Sequence, residues 1–522
     1  MKIEIFDSTL RDGAQAEGIS FSVSDKIKIA KVLDDLGIDF IEAGNPGSNQ
    51  KDLEFFKEAQ NIKFKNSKLV AFGSTRRCNI KVEDDLNLKA LLEAKTEYVC
   101  IFGKSSLFHV EKIINTTGIE NLEMIKDSIK FLKDNNKHVF FDAEHFFDGY
   151  KSDRDYAILS LKTAEDAGAD RIILCDTNGG TFPDEMISIL EDVKKNINIP
   201  IGIHAHNDCG MAISISVLAV MYGCKQVQGT FLGYGERCGN ANLSAIIANL
   251  ELKKGYECLP KGNISYLTAA AKEVAEISNF KLGYNLPYVG SSAFSHKAGM
   301  HIDGVYKNSK SFEHISPEVV GNERRFLISE VAGKSTVIAK INKIYPNVDK
   351  NDPNLTKIIN TIKELEFGGY QFEGADASFE LIVHKAFGKF KPFFEVLDFK
   401  TIGEGPLEEE KYSASAIIKV SVGESIEVTA DNGDGPVDAL NKALRKAISK
   451  FYPVLNNVYL SDYKVRILDG KESATRATTR VIIESTDGDS TWSTVGVSKD
   501  IIEASFKALI DSIEYKLFKE NK

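Results

Sequence analysis

The first 250 residues of the chain alternate short apolar runs with amphipathic stretches. Each run has the length of a buried strand, and between the runs apolar residues recur every three or four positions, as in a helix with one buried face. Eight strand–helix units spaced about 30 residues apart predict a (β/α)8 barrel. A doubly wound open sheet is the alternative, although it more often has five or six strands. The predicted strands are Ile3–Phe6, Phe40–Ala43, Leu69–Phe72, Tyr98–Phe102, His138–Phe141, Arg171–Cys175, Ile201–His204 and Gln226–Phe231.

After residue 250 this alternation stops. Residues 263–279 and 354–366 have helical periodicity, with irregular stretches rich in Gly, Ser and Pro between them. Further on, strands return, and helices are predicted at Pro436–Phe451 and Lys499–Leu517. The order βββα, βββα indicates a loose internal duplication in a separate α+β domain. The predicted strands here are Ala377–Lys385, Phe393–Thr401, Tyr412–Val422, Ser425–Ala430, Tyr463–Leu468 and Ala477–Ser485.

These patterns predict three parts: a TIM-barrel domain at 1–262, mainly helical linker subdomains at 263–375, and an α+β domain at 376–522. The net charge of −10 and a pI near 5.6 argue against nucleic-acid binding. No apolar run reaches the roughly 18 residues of a membrane span. Seven scattered cysteines without a CxxC pair predict a reduced, cytoplasmic protein.

Candidate chemistry is expected where the barrel strands end, because active sites of this fold are built there. His204 and His206 stand at positions i and i+2 of strand seven, so their imidazoles point to the same side. Strands seven, eight and one are neighbours in a closed barrel, and Asp12 and Asn240 could complete a cation site. Two nitrogens with oxygens suit Zn²⁺, Mn²⁺ or Fe²⁺ rather than Ca²⁺. The alternative is a packed or surface pair of histidines that binds no metal.

Other charged residues at strand ends allow two interpretations each. Arg11 beside Asp12 is either a solvated ion pair or a clamp for a carboxylate or carbonyl oxygen. Glu144 and Glu236 are general bases, or structural carboxylates that hold Arg11 and the metal ligands. Lys104 after strand four is a disfavoured Schiff-base lysine, since an adjacent metal site already offers a way to stabilise an enolate.

Motifs spread over nearly the whole chain resemble the isopropylmalate synthase and citramalate synthase family, and GNPGSN with AEHFFDGYK points to the citramalate branch. The wider class of metal-dependent barrel enzymes includes homocitrate synthase and hydroxymethylglutaryl-CoA lyase. In the barrel the motifs are FDSTLRDGAQAEG at 6–18, EAGNPGSN at 42–49, CDTNGGTFP at 175–183, HAHNDCGMA at 204–212 and GYGERCGNANL at 233–243. Beyond the barrel, SAFSHKAGMHIDGV at 292–305 resembles the linker subdomain, and the regulatory domain is matched by DNGDGPVDALNKALRK at 431–446 and STWSTVGVSKDIIEASFKALIDSIEYKL at 490–517.

The resemblance implies a Claisen-type acyltransferase. Acetyl-CoA would condense with pyruvate, and hydrolysis of the thioester would release citramalate and CoA, in threonine-independent isoleucine biosynthesis. By matching motifs, Asp12, His204 and His206 would bind a divalent metal (Mn²⁺, Mg²⁺ or Zn²⁺), with Asn240 as a ligand or close neighbour. Arg11 would stabilise the charge that grows on the keto oxygen.

The resemblance also implies the remaining roles. Thr177 would hydrogen-bond the substrate carboxylate, and Gln15 would support Arg11. His301 would be the base that takes the acetyl methyl proton, with Glu236 and Glu144 as helpers or rivals. The alternative for His301 is a structural histidine whose hydrogen bonds are satisfied inside the linker. The DAEH context of Glu144 differs from that of many isopropylmalate synthases.

The C-terminal domain of this family binds a branched-chain amino acid at a dimer interface, so the resemblance implies a homodimer with isoleucine as the effector. An isopropylmalate synthase that uses 2-oxoisovalerate is the alternative enzyme, and it would need a larger pocket. A homocitrate synthase would need basic groups for a second carboxylate. A non-catalytic amino-acid sensor is the alternative of another class, and it predicts broken metal or arginine positions, whereas all of these positions are present.

Overall fold

The computed structural model describes residues 1–327, 338, 340–342, 344–346, 348, 352–372, 374–403, 414–468 and 477–521. The chain forms two compact units. One consists of Met1–Phe294 with Ile315–Arg324, and the other of Ser295–His314 with Arg325–Lys522. No helix within the described ranges is both long and apolar enough to cross a membrane.

Eight parallel strands of the first unit close into a barrel, and strands that follow each other in sequence are neighbours in space. The last strand pairs with the first, with Gln226 opposite Glu4 and Gly229 opposite Asp7. This closure confirms the predicted (β/α)8 barrel over the open doubly wound sheet. The strands are β1 (Glu4–Asp7), β2 (Phe40–Glu42), β3 (Lys68–Ser74), β4 (Tyr98–Lys104), β5 (His138–Glu144), β6 (Arg171–Asp176), β7 (Ile201–Ala205) and β8 (Gln226–Gly229).

Helices alternate with these strands, and their ends follow local capping chemistry. The first helix begins after Ser22, whose hydroxyl accepts from the backbone N–H of Asp25 while the Asp25 carboxylate accepts from that of Ser22. It ends at Gly37, whose φ of 100° favours glycine. The helices are α1 (Val23–Leu36), α2 (Gln50–Ala59), α3 (Leu86–Glu93), α4 (Leu107–Lys112), α5 (Gly118–Asp134), α6 (Phe146–Ser152), α7 (Arg154–Asp166), α8 (Pro183–Asn196), α9 (Ala212–Met221), α10 (Leu243–Lys254) and α11 (Leu267–Ile277).

An aromatic layer fills the inside of the barrel. The ring centroid of Phe140 lies 5.1 Å from that of Phe40 and 6.1 Å from that of Phe6. Val70 and Cys100 complete this buried layer. The next inward positions toward the carboxyl ends of the strands carry Glu42 on β2 and Asp142 on β5, but the rings of Phe72 and Phe102 on β3 and β4. The packed layer therefore forms the floor of a mouth that is partly polar and partly aromatic.

The second unit contains two three-stranded antiparallel sheets, each followed by a helix, as the predicted βββα repeat requires. Ile418 and Val420 of one sheet share a core with Val481 and Ile483 of the other. The strands are β9 (Ser295–His296), β10 (Arg325–Phe326), β11 (Glu395–Gly403), β12 (Ala414–Val422), β13 (Ser425–Gly433), β14 (Tyr459–Ile467), β15 (Thr479–Thr486) and β16 (Thr491–Ser498). The described helices are α12 (Gly299–Lys307), α13 (Pro353–Phe367), α14 (Asp376–Ala386), α15 (Pro436–Ile448) and α16 (Ile501–Glu520).

One predicted strand is wrong, because Ala377–Lys385 lies within helix α14. Apolar residues at alternate positions give this segment the period of a strand. The helix is buried on more than one side: Phe379 and Val383 join one core cluster, and Ala377 joins another. A helix that is buried on several sides lacks the polar face that would identify it in a sequence.

Candidate active site

The carboxyl ends of the barrel strands surround a cavity of about 280 Å³. Most residues singled out from the sequence line it, and Asn240 lies beside it, with Nδ2 donating to Oδ1 of Asp12 at 3.0 Å. His301 is the exception. It belongs to the second unit, where its exposed imidazole stacks on Phe312 with ring centroids 4.1 Å apart. The residues that line the cavity are Arg11, Asp12, Gln15, Phe72, Phe102, Asp142, Glu144, Cys175, Thr177, His204, His206, Glu236 and Arg237.

Arg11 is held in the mouth by two carboxylates and an aromatic ring. Its Nε donates to Oε2 of Glu42 at 2.7 Å, and its Nη1 donates to Oδ2 of Asp12 at 3.1 Å. The guanidinium carbon lies 3.8 Å from the ring centroid of Phe72. Burial acts to lower the pKa of Arg11, but attraction to Glu42 and Asp12 outweighs it and raises the pKa. The Arg11–Asp12 pair is therefore a largely buried ion pair in which Arg11 keeps its positive charge, not a solvated surface pair.

Asp12, His204 and His206 form a cluster whose ligand atoms all lie within 4.8 Å of one another, and all three residues are buried. Arg11 and the two histidines outweigh the effect of burial and lower the pKa of Asp12 to about 2, so its carboxylate is charged at neutral pH. Burial lowers the pKa of His206 to about 4, which keeps this imidazole neutral. Within the described part of the chain, Nδ1 of His206 and Oδ1 of Asn240 are buried without a hydrogen-bond partner. The ionised carboxylate of Asp12, the neutral imidazole of His206 and the two orphaned acceptors fit a divalent cation.

A hydrogen-bond chain behind His204 contains residues to which the sequence assigned no role. Nδ1 of His204 lies 3.0 Å from Oε1 of Gln228, and Nε2 of Gln228 donates to Oδ1 of Asp142 at 3.2 Å. Burial raises the pKa of Asp142 to about 6. Asp142 stands two residues after the inward-facing Phe140, so alternation along the strand is the signal that could have found it.

Other predicted residues occupy the rim of the cavity. The carboxylate of Glu144 forms an ion pair with Lys104, which leaves that lysine poorly suited to a Schiff base. Oγ1 of Thr177 accepts from the backbone N–H of His145 at 2.8 Å. Glu236 is exposed.

Arg237, which the sequence also left without a role, ties three rim loops together. Its Nε and Nη2 donate to the two carboxylate oxygens of Asp208 at 2.8 and 3.0 Å. Nη2 also donates to the carbonyl oxygen of Thr177 at 2.7 Å. These bonds join the loops that follow β6, β7 and β8, so Arg237 fixes the shape of the mouth.

Comparison with known families divides the chain into three consecutive matches. A model described as HMGL-like matches residues 2–274. A model of the homocitrate synthase post-HMGL domain matches residues 288–368, and a model of the LeuA allosteric (dimerisation) domain matches residues 373–517.

Curated relatives match over almost the full chain. The (R)-citramalate synthase of Geobacter sulfurreducens is 49% identical over 99% of this chain and 98% of its own length. The (R)-citramalate synthase of Aquifex aeolicus is also 49% identical, over the same shares. The 2-isopropylmalate synthase of Methanocaldococcus jannaschii is 31% identical over 100% of this chain and 96% of its own length. These matches confirm the family resemblance and favour its citramalate branch.

Gly235 occupies a position in the mouth that tolerates no side chain. Its φ is 149°, and a Cβ there would lie 2.2 Å from Nδ2 of Asn240. We expect Gly235→Ala to lower the free energy of unfolding by about 1–3 kcal/mol, measured by urea denaturation, because of backbone strain and displacement of Asn240. Gly180→Ala is the matched control, since a Cβ there has no heavy atom within 4 Å. Equal stability of the two variants would contradict this account.

Proposed function

The chain belongs to the family of the (R)-citramalate synthases, and we propose that its barrel condenses acetyl-CoA with pyruvate and hydrolyses the thioester to give citramalate and CoA. It is an acyltransferase in which the acyl group becomes an alkyl group on transfer. The observation that carries the proposal is one cavity that combines Arg11 with the cluster of Asp12, His204 and His206. A guanidinium beside a cation site suits a 2-oxo acid as substrate, because the carboxylate and the keto oxygen of such an acid both attract positive charge.

Asp12, His204 and His206 would hold the cation, with Asn240 as a further ligand or close neighbour. Mn²⁺, Mg²⁺ and Zn²⁺ are the candidate metals. When bound, the cation supplies positive charge that polarises the keto group.

Arg11 stabilises the negative charge that develops on the keto oxygen as the new carbon–carbon bond forms. Glu42 and Phe72 already fix the guanidinium of Arg11, so this group needs little movement during the reaction. Thr177 donates its hydroxyl to the substrate carboxylate, because its oxygen already accepts the N–H of His145 and its own hydrogen is available. Gln15 supports Arg11 from the exposed side of the cavity.

His301 takes a proton from the methyl group of acetyl-CoA, and the electron pair of that C–H bond then attacks the keto carbon. The resulting alkoxide takes up a proton, and water cleaves the thioester to release CoA. Imidazole is the side chain best matched to a general base near neutral pH, and that of His301 is exposed. Glu236, exposed at the cavity, assists, whereas Glu144 is committed to Lys104 and has a positioning role.

The function is tested by measuring CoA release from acetyl-CoA with a thiol reagent. The purified chain is supplied with Mn²⁺ or Mg²⁺, and pyruvate, 2-oxobutyrate, 2-oxoisovalerate and 2-oxoglutarate are offered in turn. We expect the highest kcat/KM with pyruvate. Preference for 2-oxoisovalerate would move the activity to an isopropylmalate synthase. If folded, metal-loaded protein released no CoA with any of these oxo acids, the proposed synthase activity would be overturned, and a non-catalytic amino-acid sensor would be favoured.

The preference for pyruvate is supported by two aromatic rings that limit the cavity. Phe72 and Phe102 both line it and stack with centroids 5.6 Å apart. We propose that these rings at the strand ends form the subsite for the side chain of the oxo acid, where they would exclude the isopropyl group of 2-oxoisovalerate.

Truncation of Phe102 is therefore expected to relax the choice of oxo acid. In Phe102→Ala, we expect the ratio of kcat/KM for 2-oxoisovalerate to that for pyruvate to rise by about tenfold or more, because one methylene in an apolar pocket is worth about 10- to 200-fold. Phe102 is preferred to Phe72, which also supports Arg11. Phe108→Ala is the control, since that ring is 59% exposed and does not line the cavity. An unchanged ratio in Phe102→Ala would show that another surface sets specificity.

A homodimer is supported by the match to the LeuA allosteric (dimerisation) domain and by an apolar sheet face. Four apolar residues on the outer face of β11, β12 and β13 are 41–64% exposed, and the strand register places Ser415, Lys400 and Lys419 among the residues opposite them. Such a face suits an isologous interface, in which the same surface meets itself across a twofold axis. The residues are Ile402, Ile417, Ile426 and Val428.

Isoleucine regulation is supported by a pocket of about 690 Å³ in the second unit, beside the start of α15. Val437, Val458 and Leu460 give it an apolar wall for a branched side chain. Asp438, whose Oδ2 also accepts from Nζ of Lys442 at 2.6 Å, and Arg445 supply opposite charges of the kind that an amino-acid zwitterion requires. We therefore assign the effector to this pocket.

Removal of the charge at Asp438 is expected to weaken inhibition. In Asp438→Asn, we expect the isoleucine concentration that halves CoA release to rise about tenfold, because the ammonium group loses its counter-charge. Asp434→Asn is the matched control, since Asp434 lies four residues earlier and outside the pocket lining. If isoleucine inhibited Asp438→Asn and Asp434→Asn equally, the assignment of isoleucine to this pocket would be wrong.

A further inference from the structure

The hydrogen-bond chain behind His204 spans the barrel interior from β7 through β8 to β5. It runs from Nδ1 of His204 to Oε1 of Gln228, and from Nε2 of Gln228 to Oδ1 of Asp142. Gln228 is fully buried, and His204 and Asp142 are each only 4% exposed. Because these hydrogen bonds are shielded from solvent, the hydrogen-bond partners of each side chain decide where its hydrogens lie.

When Asp142 is a carboxylate, the hydrogen bonds between Asp142, Gln228 and His204 allow only one arrangement of donors and acceptors. A carboxylate only accepts, so Gln228 must turn its NH₂ toward Asp142. The amide oxygen then faces His204, which must donate from Nδ1. Nε2 of His204, which lies 3.6 Å from Oδ2 of Asp12, keeps its lone pair on the side of the cation cluster.

We propose that Asp142 is a positioning residue that acts through Gln228 to fix the tautomer of His204 in which Nε2 can bind the cation. This inference rests on the cation site of the proposed function. An amide at position 142 can donate as well as accept, so it leaves Gln228 free to rotate and to offer an N–H to His204. The imidazole would then carry its hydrogen on Nε2 in part of the population, and that fraction cannot bind the cation.

The first test is the cation affinity of Asp142→Asn in the full-length chain. Mn²⁺ alone is titrated into metal-free protein, and free Mn²⁺ is followed by electron paramagnetic resonance. We expect about 10- to 100-fold weaker binding, the usual cost of losing a group that orients a metal ligand. Asp39→Asn is the control, because this carboxylate lies before β2, at the opposite end of the strands, and accepts from Ile5.

The second test separates positioning from a merely structural role. In the double variant Asp142→Asn, Gln228→Glu, the new carboxylate can accept directly from Nδ1 of His204 and fix the same tautomer. We expect this variant to recover most of the Mn²⁺ affinity that the single variant loses. Wild-type affinity in Asp142→Asn, or no recovery in a folded double variant, would overturn the inference and leave the cation site standing. No Mn²⁺ binding by the wild-type chain would overturn the cation site and this inference together.

Discussion

Eight parallel strands that close into a barrel must send every second side chain into the interior, and this alternation decides where the chemistry of the chain lies. The inner positions near the middle of the strands carry rings such as Phe6 and Phe140, which are buried and pack against one another. Two residues later on β5 stands Asp142, and the corresponding layer on β7 and β8 holds His204 and Gln228. Polar groups are tolerated there because each finds a partner in the same layer.

The charges at the mouth form a second constraint, since buried charges are costly unless they are compensated. Arg11 carries one positive charge and faces the carboxylates of Glu42 and Asp12, so these three groups together carry one negative charge. His206, whose pKa is lowered to about 4, does not neutralise it. A divalent cation beside Asp12 would supply the missing positive charge. The charge balance and the orphaned acceptors of the cluster therefore point to the same occupant.

The sequence allowed prediction of features that depend on local order and not of those that depend on packing across the barrel. Strand ends and the HxH spacing identified Asp12, His204 and His206, because consecutive strands in a closed barrel must be neighbours. Gln228 was not predicted as a site residue, because it lies inside a strand and belongs to no sequence motif. Its hydrogen bonds to His204 on β7 and Asp142 on β5 depend on packing across the barrel. Helix α14 was mistaken for a strand for a related reason, since burial on several sides removed its polar face.

The proposed cation ligands and the proposed base belong to different compact units of the chain. The ligands belong to the first unit, whereas His301 and the pocket assigned to isoleucine belong to the second. The segment Ser295–His314 that carries His301 is nevertheless joined at both ends to parts of the first unit, Met1–Phe294 and Ile315–Arg324. An effector changes a rate only when it binds two states with different affinities. If those states differ in the placement of His301, isoleucine would act on proton transfer and leave the cation cluster, whose ligands come wholly from the first unit, intact.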